Sequence, residues 1–186
     1  MLSKKIETAL NGQVNNEVYS AYLYMAMSSH ATNTGLKGFA NWFMVQYHEE
    51  MLHAMKLFEY IQKKGGVALV GTIKQPPASW ASPLDMFEQT YTHEQFITKC
   101  INDLSDLAVA EKDHATQVFL QWYVNEQVEE EQNDTDIIAQ LKMIGDSKPA
   151  LVMLDKDLSA RMVTVPTDYS KGVEAAMRAK AGGAAA

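Results

Sequence analysis

The chain has 186 residues, of which 47% are hydrophobic and 21% charged, enough for one domain with a sizeable core that needs no covalent staples. Twenty-three acidic against 16 basic residues leave a net charge of -7, which disfavours nucleic acid as a partner and favours cations. A lone Cys100 excludes an intrachain disulfide framework and a Cys-rich zinc site, and no apolar run reaches the ~18 residues of a membrane span, so a cytoplasmic protein without a membrane partner is expected.

Ser3 to Asn33 contains one glycine, Gly12, and no proline, which predicts a long helix stopped at Asn33-Thr34-Gly35. Phe39 to Lys64 is a second such stretch, closed by Gly65-Gly66. Val67 to Ser82, with Gly71, Pro76 and Pro77, has no period and is expected to be a loop. Pro83 opens a third helix at the turn where proline is tolerated, and it continues to about Ala110. Asp113 caps a fourth, which runs to about Ile144 before Gly145, and a short fifth follows Pro149 to about Arg161. Residues 1–161 are thus one domain, and 162–186 are expected to form a mobile C-terminal tail. Helices of roughly 27–32 residues are ~40–48 Å long, which suits a bundle of rods. Two short turns make two hairpins, and the long loop lets the second and third helices run parallel. The predicted fold is all-α: a four-helix bundle with one long crossover plus a short fifth helix.

Counting at helical spacing gives each rod an inward stripe. The stripes, which pass through Gln13 on helix one, Tyr47 on helix two and Asp134 on helix four, are mostly apolar, yet each carries a glutamate near its middle: Glu17, Glu50, Glu94 and Glu130. Any one of these alone is best read as a snorkelling or lysine-paired side chain. Four at matched depth is another matter, because one unpaired buried carboxylate costs several kcal/mol and neighbours repel. Bound cations relieve both costs. His53 lies one turn after Glu50, so Glu50-Met51-Leu52-His53 is a Glu-x-x-His ligand pair. Carboxylates with one imidazole and no thiolate suit iron or manganese better than structural zinc. His48 and His53 are five apart and do not form a zincin helix. His30, His48, His93 and His114 are expected on surfaces, Trp42, Trp80 and Trp122 as packing anchors, and Cys100 as a buried small residue.

Four motifs, one per helix and in order, carry a resemblance: Asn16-Glu17-Val18-Tyr19-Ser20-Ala21-Tyr22-Leu23-Tyr24, Glu49-Glu50-Met51-Leu52-His53-Ala54, Tyr91-Thr92-His93-Glu94-Gln95, and Asn125-Glu126-Gln127-Val128-Glu129-Glu130-Glu131. From Met1 to about Arg161 the chain resembles the bacterial non-haem ferritins, within the ferritin-like di-iron family. The resemblance implies an iron-storage protein with ferroxidase activity, which oxidises Fe(II) with oxygen or hydrogen peroxide and stores a ferric mineral inside a 24-subunit shell. It implies a first iron site of Glu17, Glu50 and His53 and a second of Glu50, Glu94 and Glu130, with Glu50 bridging. Gln127 would lie beside the pair, and Tyr24 nearby as electron donor or hydrogen-bond partner. A third site would use Glu49, Glu126, Glu129 and Glu130, of which stripe counting leaves all but Glu130 outside. Helix four offers no second Glu-x-x-His, and Leu52 stands where a bacterioferritin places its haem-ligating methionine, so haem is not expected. Two alternatives stay open: a di-iron oxygen-activating enzyme, and a storage cage subunit with little oxidase activity.

Overall fold

The computed structural model describes residues 2–183, in which six helices and no strand occur among the described residues. They are α1 (Lys4–Asn33), α2 (Lys37–Lys63), α3 (Pro83–Ala110), α4 (His114–Ile144), α5 (Lys148–Leu158) and α6 (Val173–Gly183). The first four form the bundle, with α1 against α2 and α3 against α4 as its two hairpins. The expected bundle with its crossover and short fifth helix is therefore observed.

Local chemistry explains the boundaries. The Ser3 hydroxyl accepts from Ile6 N at 3.3 Å, Ser82 from Asp85 N at 3.0 Å and Asp113 Oδ1 from Thr116 N at 3.1 Å, so α1, α3 and α4 start on side-chain caps. Gly35 closes α1 in the left-handed region at φ 86°. Lys112 takes the same conformation at φ 58° between α3 and α4, without glycine's freedom.

Helix α2 starts at Lys37, two residues before the expected Phe39, and has no cap of its own. Its first N–H groups instead reach across the fold: Gly38 N and Phe39 N donate to Asp155 Oδ1 at 2.7 and 3.0 Å. A Cβ at Gly38 would lie 1.5 Å from Asp155 O, so only glycine permits this approach. Asn41 Nδ2 returns the favour at the other end of α5, donating to Leu158 O at 3.2 Å and Arg161 O at 2.9 Å.

The crossover follows α1 upward. Asn11 binds Val67 O and Leu69 N, Asn15 donates to Thr72 O, and the ring of Trp80 meets His30 at 5.4 Å. Segment 64–82 is irregular, as its composition predicts.

Beyond Arg161, where sequence predicts no element, α6 packs on α2: Val173 N donates to Glu59 Oε1 at 2.6 Å. Sequence periodicity does not reveal α6 because its eleven residues are alanine-rich and follow a segment with no pattern. Residues 184–186 of the expected tail lie outside the described residues.

Two apolar clusters fill the bundle. One, around Tyr24, Met27, Phe39, Phe43, Phe87, Ile137 and Leu141, lies toward α5. The other, around Leu10, Leu57, Ile61, Ile101, Leu104 and Leu120, lies toward the α3–α4 turn. On each of the four rods the residues between the clusters are polar and buried, among them Gln13 and Glu17, Gln46, Glu50 and His53, Thr90 and Glu94, and Gln127, Glu130 and Asp134. A polar layer thus splits the core.

Candidate metal centre

The four glutamates sit in that layer at 1–5% exposure, and His53 at 2%. Helical spacing puts them there, since each occupies the turn between flanking core residues on its own rod. One oxygen or nitrogen from each of Glu17, Glu50 and His53 falls within 4.8 Å of the other two, and His53, Glu126 and Glu130 form a second such group. His53 Nδ1 lies 3.3 Å from Glu50 Oε2, as one helical turn requires.

Neutral donors hold the carboxylates in place. Gln13 Nε2 donates to Glu17 Oε1 at 2.8 Å and Gln46 Nε2 to Glu130 Oε2 at 2.7 Å. Gln127 Nε2 donates to Glu94 Oε2 at 3.1 Å, and the Tyr24 hydroxyl donates to Glu94 Oε1. Tyr123 O–H donates to the His53 carbonyl at 2.8 Å, and the Trp122 and His53 rings meet edge to face. After these bonds, Glu17 Oε2, Glu50 Oε1 and Asp134 Oδ2 are buried with no partner. Such orphans are costly, and in a native protein they call for an ion or water.

Electrostatics sharpens the point. Burial and then the Glu50 carboxylate hold the Glu17 carboxyl well above its usual range. Burial, with Glu94 and Glu130 adding, does the same to Glu50. Glu130 is pushed up to about 8 and Asp134 to about 9, in both cases by burial first and Glu94 next. Without cations the layer is kept partly protonated. Hard oxygen donors, one imidazole and orphaned oxygens fit divalent or trivalent cations.

The satellite residues divide. Glu126 joins His53 and Glu130, whereas Glu129 is exposed. Glu49 is engaged by a cation of the protein itself, Arg161, whose Nη2 lies 2.6 Å from Glu49 Oε2. Three residues that no motif singles out belong to the layer: Gln13, Gln46 and Asp134. Gln13 and Asp134 lie on the predicted stripes, but Gln46 does not. The helix-two stripe passes through Tyr47, which is half-buried, while Gln46 is fully buried. His93, expected on the surface, is half-buried and hydrogen-bonded to the Ser20 hydroxyl at 2.8 Å, because Tyr19 and Tyr24 pack around its ring. His30 and His48 are also half-buried and His114 is exposed. Cys100 is half-buried rather than buried, since its position lies one residue off the stripe through Ile97 and Ile101. Trp42 and Trp80 are buried, and Trp122 is half-buried with Lys56 Nζ 3.1 Å above its ring.

The family model described as a ferritin-like domain matches residues 7–144. A bacterial non-heme ferritin of Bacteroides fragilis is 41% identical over 161 residues, covering 87% of this chain and 100% of the relative. One from Staphylococcus epidermidis is 40% identical, covering 87% of this chain and 97% of its own length. Among solved structures, an open-pore ferritin from the hyperthermophilic archaeon Archaeoglobus fulgidus is 50% identical with a TM-score of 0.86, covering 87% of this chain and all of that one.

Proposed function

The chain belongs to the ferritin-like domain family, and on that premise we propose that it oxidises iron at the buried carboxylate layer described above and stores the product. The observation that carries this is the convergence of Glu17, Glu50, His53, Glu94 and Glu130 from four helices, with the orphaned oxygens of Glu17 and Glu50 among them.

Iron is the substrate, arriving as Fe(II). Glu17, Glu50 and His53 hold one ion, Glu50, Glu94 and Glu130 hold the other, and Glu50 bridges. Iron supplies the redox change, each Fe(II) giving one electron to dioxygen or hydrogen peroxide. The protein does the rest. Its hard oxygen donors favour the higher-charged product ion and so lower the potential. Burial raises the Glu17 and Glu50 carboxyls and pushes Glu130 up to about 8, so cation binding displaces protons and loading strengthens with pH. Gln127 and Tyr24 fix the orientation of Glu94 through its two oxygens, and Gln13 and Gln46 do so for Glu17 and Glu130.

Satellite binding at Glu126 and Glu130, with Glu49 and Glu129 as further acids, gives a third position. Ferric product leaves for the cavity of a shell of 24 copies in the cytoplasm. Haem has no part in this scheme, as Leu52 is a non-ligating side chain. Among the described residues no helix is long and apolar enough to cross a membrane.

The test is aerobic addition of Fe(II) to the metal-free protein, following Fe(III) absorbance while light scattering sizes the particle. Fast oxidation of about two irons per chain, then slower growth, is the expected result. Glu50→Ala and His53→Ala should each oxidise no faster than buffer while keeping the parent's particle size. Unchanged fast oxidation in both variants sinks the assignment.

A further inference from the structure

The C-terminal segment follows one stripe of α2. It begins at Arg161, whose carbonyl accepts from Asn41, passes Leu52, where Met162, Val165, Pro166 and Met177 line an apolar groove, and ends with Val173 N on Glu59. Lys180 Nζ ties it to itself through Val163 O at 2.9 Å. The same stripe carries Glu49, so this strap crosses the face on which the satellite acids open.

Arg161 is the polar anchor of the strap. Its guanidinium lies over the Trp42 ring, with Cζ 4.6 Å from the ring centroid. Its Nη2 donates to Glu49 Oε2 at 2.6 Å and also to Gln46 Oε1. The Gln46 amide is thereby oriented with Nε2 toward Glu130, to which it donates at 2.7 Å. Glu130 belongs, with His53 and Glu126, to the second of the two ligand groups of the metal centre. The chain of bonds therefore runs from Arg161 through Gln46 to Glu130, with Glu49 on a branch. Both partners of the ion pair are largely sheltered, at 23% and 15% exposure, so water screens the contact only weakly. The bonds to Glu49 and Gln46 both come from Nη2, while Nη1 donates to the Trp42 carbonyl at 3.5 Å.

We infer that Arg161 is the resident counter-cation of the satellite acids: its guanidinium fills the cation position beside Glu49 and, through Gln46, fixes Glu130, so that a third metal ion binds only by displacing it. Arg161 is a positioning residue on this account, touching no metal itself. The inference rests on the metal-centre reading above. It assigns the strap a task, which is to keep the satellite position weaker than the mid-bundle pair and thereby let ions pass through it.

The experiment is a calorimetric titration of the metal-free full-length protein with Zn(II), a redox-inert probe. The parent should show two tight sites and one weak site per chain. Arg161→Gln should tighten the weak site roughly ten- to a hundred-fold, the range of a charge-assisted hydrogen bond to a carboxylate, and leave the tight site of Glu17, Glu50 and His53, which lacks Glu130, unchanged. Arg161→Lys keeps a charge at the position and should stay closer to the parent. Adding Glu49→Gln to Arg161→Gln should return the site to parental weakness. An unchanged weak site in Arg161→Gln overturns the inference, and so does an equal loss across all three sites, which marks Arg161 as a structural clamp. Glu50→Ala, titrated alongside, should lose the tight pair. If it keeps the pair, the metal-centre reading falls and the inference falls with it, whereas an inert Arg161→Gln beside a deficient Glu50→Ala removes the inference alone.

Discussion

Replacing Asp134 by asparagine should flatten the pH dependence of the metal-free protein. Asp134 lies one turn beyond Glu130, 1% exposed, with Oδ2 unpartnered. Burial, aided by Glu94 and Glu130, raises its pKa from 3.8 to about 9. The folded protein therefore keeps the group neutral over most of the usable pH range, while the unfolded chain ionises it above pH 4. Stability from this group is fully present below the ordinary carboxyl value and is withdrawn as pH climbs toward 9. The slope is about 1.4 kcal/mol per pH unit for one proton. Between pH 5 and pH 8 the parent should lose about 4 kcal/mol through Asp134 alone. Glu17 and Glu50 push in the same direction, but they are present in both proteins and cancel in the comparison. Guanidinium unfolding in the presence of a chelator, at pH 5, 6.5 and 8, measures the effect. Asp134→Asn should lose about 4 kcal/mol less than the parent over that span. Parallel losses in the two proteins would mean that Asp134 is charged in the folded state, and the account of the layer would be wrong.

Lys112→Gly should stabilise the protein by about 1 kcal/mol, because Lys112 holds φ 58° where glycine is unstrained; a lower unfolding midpoint refutes this. Asp155→Ala removes the acceptor shared by Gly38 N and Phe39 N and should cost about 1–2 kcal/mol in chemical denaturation, whereas an unchanged midpoint shows the cap to be idle. Zn(II) added to metal-free protein in weak buffer at pH 7 should release protons, since burial pushes Glu130 up to about 8 and raises Glu17 and Glu50 in the same direction. An indicator dye reads this directly, and zero release shows that those carboxyls are already ionised.

The four rods, the crossover and the glutamate layer are legible in the sequence because each follows from local periodicity. A glutamate on an otherwise apolar stripe announces itself, and the depth match among Glu17, Glu50, Glu94 and Glu130 needs only counting. Gln46 escapes because α2 is apolar almost all round near it, with Trp42, Phe43 and Val45 all buried, so the stripe has no sharp edge. Asp134 lies on the stripe but without a motif to mark it. Arg161 is beyond any local rule. Its partners Gln46 and Glu49 are more than a hundred positions away, and only the docking of α5 brings them together. The early start of α2 is hidden for the same reason, because its cap comes from Asp155.

That distant cap has a bearing on how the chain is made. Synthesis delivers α1 and α2 first, and their hairpin can close on its own apolar side chains. The amino end of α2 nevertheless stays open, its N–H groups held only by water, until Asp155 appears 117 positions later. Asn41 likewise waits for Leu158 and Arg161. Helix α5 is thus a latch rather than an appendage: a chain cut short before it would keep four rods but leave one end of the bundle unsealed.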